Sequence, residues 1–228
     1  MRLFFDCEFT GLRKDTTLIS LGIVSEDGKK FYAEFVDFDI SLCDDWIKKN
    51  VLANLKLPKL TSKDTLSETW NEIERWKQNG YLVVEDFVEG SEWFGSVYST
   101  CSTSGNVKEV VGGRMWVSAC LQDWLQQFDT IQFVSDVCHY DFVLLVDLLT
   151  NGGTALDLPG NISAVCHDLN MDIARHFHVS DREAFDMSRE QIMNDLCGPE
   201  DVATGDKHNS LYDAEVIRAI YEEIGYDI

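Results

Sequence analysis

Leu3-Phe4-Phe5-Asp6-Cys7-Glu8-Phe9-Thr10-Gly11 is the stretch on which the reading of this chain turns. Three consecutive apolar residues, flanked by others, spell a strand buried on both faces. Side chains alternate along a strand, so Asp6 and Glu8 project from one face at its carboxyl end. Two carboxylates that close repel each other and are costly to desolvate. The pair asks for a cation, and a hard divalent metal with oxygen ligands suits it. An Asp-x-Glu at a strand end is also common without that role, so the rest of the chain has to decide.

Working outward, a short polar turn leads to Leu18-Ile19-Ser20-Leu21-Gly22-Ile23-Val24, a second strand. Ser25-Glu26-Asp27-Gly28 is a turn, and Lys30 to Phe35 alternates as a third strand, which makes an antiparallel meander. Asp44 to Leu55 has a helical period, with Trp46, Ile47, Val51, Leu52 and Leu55 as its apolar positions and Pro58 beyond its end. Thr65 and Glu68 form a capping box for a helix carrying Leu66, Trp70, Ile73 and Trp76 and stopped at Gly80. Tyr81 to Val84 reads as a strand. The following stretch, 85–115, reads as a β-rich insertion in which Ser, Thr and Gly interleave with Trp93, Phe94, Val97 and Tyr98. An exposed aromatic group there could stack a base; a small packed hairpin is the plainer alternative.

Ser118 begins a helix with Leu121, Trp124, Leu125 and Phe128 on one stripe. Thr130 to Ser135 is a strand, and Tyr140 to Leu149 is an apolar helix closed by Asn151-Gly152-Gly153. Further helices are expected around Leu169 to Phe177, from Ser188 to Cys197, and from Ser210 to Ile224, the last with Ile217, Ile220, Tyr221 and Ile224 inward. Three strands, then helices, then strand and helix describe one α/β domain over 1–228, a mixed β-sheet flanked by helices.

The 228 residues, 45% hydrophobic, are enough for a full core. No apolar run approaches the roughly 20 residues that cross a bilayer, and the apolar start is too short for a signal peptide, which points away from membranes and to the cytoplasm. Seven cysteines, none in a Cys-x-x-Cys pair, fit reduced packing residues. The formal charge of -21 disfavours strong nonspecific nucleic-acid binding. No Lys or Arg lies between Arg114 and Arg175, while ten of the nineteen lie at or before Lys63. Any cations for a phosphate chain are therefore expected in the first third, with Arg13 and Lys14 best placed.

Further carboxylates could join Asp6 and Glu8 from the ends of other strands. The strand ending at Ser135 is followed by Asp136 and then His139-Tyr140-Asp141, and either aspartate could reach the site. Asp141 has the better case, in the first turn of a helix with otherwise apolar inward positions; its alternative role is complementing the helix dipole. His208-Asn209-Ser210-Leu211-Tyr212-Asp213-Ala214 supplies a second group. Residues five apart on a helix are separated by roughly 140°, but His208 ends a glycine-containing loop and can swing, whereas Asp213 is fixed in a helix. A mobile imidazole beside a fixed carboxylate suits metal-assisted hydrolysis; a surface histidine without a role is the alternative.

Asp6-x-Glu8 with Thr10-Gly11, Tyr140-Asp141 after a strand, and His208 with Asp213 five residues on together resemble the three motifs of the DEDDh 3'-5' exonucleases. That superfamily has a ribonuclease H-like fold and includes RNase T, oligoribonuclease and the proofreading subunit of bacterial polymerase. The resemblance covers 2–32, 130–149 and 208–221, and looks closest to small prokaryotic and phage exoribonucleases. It implies that Asp6, Glu8, Asp141 and Asp213 hold two Mg²⁺ or Mn²⁺ ions and that His208 is the general base. It also implies that Phe9, Thr10, Gly11 and Leu12, with Tyr140, line the pocket for the terminal nucleotide, Leu12 as a wedge between bases. The implied substrate is single-stranded RNA, with single-stranded DNA or a small nucleotide ester as alternatives, and many relatives are homodimers. A catalytically silent interaction module is the alternative from another class. The chain departs from the pattern at Asp136, where relatives often carry Asn or His, at Ser210 in place of Ala, and in 85–115.

Overall fold

The computed structural model of the protein describes residues 1–56, 82–86 and 97–225. Strands β1 (Arg2–Phe9), β2 (Leu18–Ser25) and β3 (Lys30–Phe35) form the expected antiparallel meander. Its tight turn depends on Gly28, whose φ of 82° lies in the region that a side chain disfavours. The amide of Gly28 closes the turn on the Ser25 carbonyl at 2.9 Å.

Five more strands complete the sheet: β4 (Leu82–Asp86), β5 (Val97–Ser104), β6 (Val107–Gly112), β7 (Gln132–Ser135) and β8 (His167–Asp168). Their order is β4-β5-β6-β3-β2-β1-β7-β8. β7 runs parallel to β1, and β8 parallel to β7. The described part of 85–115 is continuous with this sheet: β6 pairs in parallel with β3 from Lys30↔Val107 to Phe35↔Gly112, and β5 and β4 follow antiparallel. The helix expected over Thr65–Gly80 and the aromatics Trp93 and Phe94 lie outside the described residues.

Among the described residues the helices are α1 (Asp45–Asn50), α2 (Arg114–Leu125), α3 (His139–Thr150), α4 (Leu169–Phe177), α5 (Asp181–Phe185), α6 (Arg189–Leu196) and α7 (Ser210–Ile224). They cover both faces of the sheet, an α/β arrangement with two core layers. On one face Leu3, Phe5 and Cys7 of β1 pack with Leu121 and Trp124 of α2 and Leu145 of α3. On the other, Phe4 packs with Ile173 of α4, Ile192 of α6 and Ile217 and Ile220 of α7. All seven cysteines are free thiols. Among the described residues no helix is long and apolar enough to cross a membrane.

Several boundaries differ from the pattern for physical reasons. α2 starts at Arg114, four residues before Ser118, because its first free amide is bonded by a distant carboxylate, Asp37, at 2.7 Å. α1 stops at Asn50 and continues as a 3-10 turn over Leu52–Asn54. Trp46 is not a core position: it is 53% exposed. The short α5 has too few residues to show an apolar period, and Ser180 and Glu183, its capping box, are its signal in the sequence.

Candidate active site

Register sets the first two carboxylates. Asp6 stands opposite Gly22 and Glu8 opposite Ser20 on β2, both on the face that carries Phe4, toward α7. The close approach of α7 to the sheet depends on Gly22: a Cβ there would meet the backbone of Ser210 and Leu211 at 2.3 Å. Ser210 is itself completely buried, and its hydroxyl meets that of Ser20 at 3.0 Å, so the departure from Ala at this position is accommodated by a hydrogen bond. Helix α7 thus begins directly over the end of β1.

His208 and Asp213 arrive together by a local device. His208 adopts a left-handed φ of 63°, Asn209 caps α7 by accepting from the Tyr212 amide, and the His208 amide donates to Asp213 Oδ2 at 2.9 Å. The turn brings the imidazole back over the helix start, which a continuous helix would forbid. His208 Nδ1 lies 3.8 Å from Glu8 Oε1. Ligand atoms of Glu8, His208 and Asp213 all fall within 4.8 Å of one another.

Asp141 enters from the other side. The parallel ladder of β1 with β7 ends at Phe4↔Val134, and beyond it the Cys7 amide is taken by Asp141 Oδ1 at 3.0 Å. Asp141 is buried in the first turn of α3. Asp136 is directed elsewhere: both its oxygens accept from Arg189, at 2.7 and 2.8 Å.

Among the described residues, these acids have no Lys or Arg bonded to them as a counter-ion. Burial, then the charges of Asp213 and Asp141, push Glu8 up to about 8. Burial pushes Asp141 and Asp213 up to about 7, against the amides of Cys7 and Asp141 itself that bond Asp141 and the amide of His208 that bonds Asp213. Asp6 is held well above its ordinary range, by burial and then by Asp141, Asp213, Glu8 and Asp136. Among the described residues no Lys or Arg forms a salt bridge with any of the four. The charge of Lys207, which itself pairs with Glu190 at 2.8 Å, is the least of the influences on Asp213. Burial and then the charge of Lys207 lower His208, which favours the neutral imidazole, the form that accepts a proton. Clustered hard oxygen donors with no described Lys or Arg in a salt bridge to them fit Mg²⁺ or Mn²⁺.

Of the residues expected against a terminal nucleotide, Phe9 ends β1, Thr10 to Leu12 follow it, and Tyr140 lies in the first turn of α3. Phe9 stacks on Tyr140 with centroids 5.7 Å apart and planes 22° from parallel. Leu12 is 78% exposed, next to Gly11 with φ 143°. Thr10 is buried and accepts from the Thr17 amide at 3.1 Å, which shapes the loop rather than offering a free hydroxyl. Arg13 turns its guanidinium to the Thr10 and Leu42 carbonyls. Trp46 was missed: its ring meets that of His208 edge-on at 4.8 Å. Its position on a helical period matched that of a core aromatic, and only the place of His208 gives it another neighbour.

No protein-family model matches the chain. Two curated proteins from Mycobacterium tuberculosis, strains CDC 1551 and H37Rv, are each named 3'-5' exoribonuclease and are 34% identical to it over 88 residues. The match takes in 39% of this chain and 46% of each relative, so the chain spans about half the length of the curated relatives it matches. That likeness is to nuclease sequences. Among solved structures, the yeast NOT1 MIF4G domain co-crystallized with CAF1 is similar at 14% identity and a TM-score of 0.44, over 97% of this chain and 79% of that one. So slight a likeness bears on neither fold nor activity.

Proposed function

We propose that the protein is a metal-dependent 3'-5' exonuclease of the DEDDh type that shortens single-stranded RNA from its 3' end. The observation that carries this is the set of Asp6, Glu8, Asp141 and Asp213, raised and with no described Lys or Arg in a salt bridge to them, beside the imidazole of His208, 3.8 Å from Glu8. The choice of RNA rests on the names of the partial relatives.

Asp6, Glu8, Asp141 and Asp213 would hold two divalent ions, which supply Lewis acidity for phosphodiester hydrolysis when bound. His208 takes a proton from the attacking water. Water oxygen bonds to phosphorus as the bond to the 3' oxygen breaks, and that oxygen leaves on the shortened strand and gains a proton. The products are a 5'-mononucleotide and a new 3' hydroxyl. Phe9, Tyr140 and the exposed Leu12 offer flat and apolar surface to the terminal bases. The strong negative charge limits phosphate contacts, which favours short or weakly held strands.

A 5'-labelled single-stranded RNA and its DNA counterpart, each with Mg²⁺, Mn²⁺ or chelator, test this with wild type and His208→Ala. A metal-dependent ladder shortening from the 3' end of the RNA, lost in the variant, is the expected result. Faster shortening of the DNA would change the substrate, and no ladder on either strand would end the proposal.

A further inference from the structure

The turn between β7 and α3 is tied down more heavily than any covalent need explains. Arg189 sends Nε to Asp136 Oδ2 at 2.7 Å and Nη2 to Asp136 Oδ1 at 2.8 Å. Nη2 also donates to Asn170 Oδ1 at 2.8 Å, and Nη1 to the carbonyls of Ala184 at 2.7 Å and Met187 at 3.0 Å. These contacts employ the whole donor capacity of a guanidinium. The two side chains are only 13% and 20% exposed.

The next residue is under strain. Val137 is β-branched yet has φ 50°, a conformation that such residues rarely adopt. Its amide donates to Asp168 Oδ1 at 3.1 Å, and the same oxygen accepts from the Asn170 amide at 3.0 Å. Asn170 therefore joins Arg189 to Asp168 in a ring of contacts around the turn. Cys138 then precedes α3 as its cap, with its side chain bonded to Cys166 and not to the helix end. Asp141 follows at once and bonds the Cys7 amide.

We propose that Arg189 is a positioning residue of the carboxylate site, which keeps Asp136 out of the ligand set and fixes the Val137 turn that delivers Asp141 to the Cys7 amide. The functional consequence rests on the metal-dependent reading above; the structural consequence does not. Asp136 is close enough that its charge raises Asp6 and Asp141, so its removal from the set matters.

The test uses Arg189→Met and Arg189→Lys, with amide hydrogen exchange of the metal-free protein and Mn²⁺ titration of the folded protein. Groups that orient a metal ligand cost about 10–100-fold in affinity when removed. Arg189→Met is expected to weaken Mn²⁺ binding on that scale and to speed Cys7 exchange against the core amides of Phe5 and Ile23. Arg189→Lys should fall between, because an ammonium lacks the planar fork. If Arg189→Met does not fold, Asp136→Ala leaves the bonds to Asn170, Ala184 and Met187 and should speed Cys7 exchange likewise. Folded variants with wild-type Cys7 exchange and Mn²⁺ affinity would overturn the inference. A wild type that binds no Mn²⁺ would instead remove the metal-dependent reading, and the exchange rates would still decide whether Arg189 holds the turn.

Discussion

The turn at Asp136 and the strand end at Asp6 and Glu8 are both acidic and partly buried, and they differ in where positive charge comes from. At the turn the fold brings its own cation, Arg189, in a bidentate pair. The same solution recurs at Asp172, fully buried against His167 and Arg175. At the strand end, no described Lys or Arg completes a salt bridge with Asp6, Glu8, Asp141 or Asp213, and their carboxyls rise toward neutrality. Burying charge without a partner costs stability. Where the turn and Asp172 are given a cation by the fold, the strand end leaves room for an external one.

The comparison breaks most visibly if the unpaired acids prove dispensable. Asp141→Asn and Asp213→Asn should each lower RNA hydrolysis by about 10³-fold or more, the scale for members of a set that acts as a unit. Single-turnover rates at saturating Mn²⁺ would measure it. His208→Ala should cost about 10²–10⁴-fold, as loss of a general base does, with RNA binding retained. Both the chemical rate and binding to a labelled oligomer need to be read, because binding lost in step with rate would make His208 a binding residue.

The raised carboxyls also make a stability prediction. Carboxyls whose folded value lies above the unfolded one bind more protons in the native state between about pH 4 and 8. Their contribution is therefore full below that window and declines as pH rises through it. In chelator, thermal unfolding should fall as pH is raised from 5.5 to 8, by about 2–4 °C for each kcal/mol lost. Asp213→Asn should flatten that decline, and Mn²⁺ should reverse it. A melting temperature independent of pH in chelator would mean that the acids are not strained.

The smallest effect is expected at the turn. Asp136→Asn keeps an acceptor oxygen for Arg189, and activity should stay within about threefold of wild type. Large loss there with little at Asp141 would exchange the two assignments.

Much of this was legible because it is local. The meander follows from alternating residues and an Asp-Gly turn, α7 from its inward Ile217, Ile220 and Ile224, and the pairing of Asp6 with Glu8 on one face from strand geometry. The remainder depends on contacts between distant residues. Nothing near Gly113 foretells that Asp37 will cap α2, and nothing around Ser188 foretells that Arg189 will reach back 53 residues to Asp136. Trp46 carried a helical period, and its exposure beside His208 follows from where α7 begins. That His208 could join Asp213 was foreseeable from the glycine-containing loop, but the left-handed turn that does it was not.

Calorimetric titration of the chelator-treated protein with Mn²⁺ at pH 7, in two buffers of different ionisation enthalpy, tests the central claim most directly. The expected result is saturable binding of two ions per chain, with protons released as the raised carboxyls give up theirs, and binding weakened by Asp141→Asn. Absence of saturable binding, or binding without proton release, would contradict it.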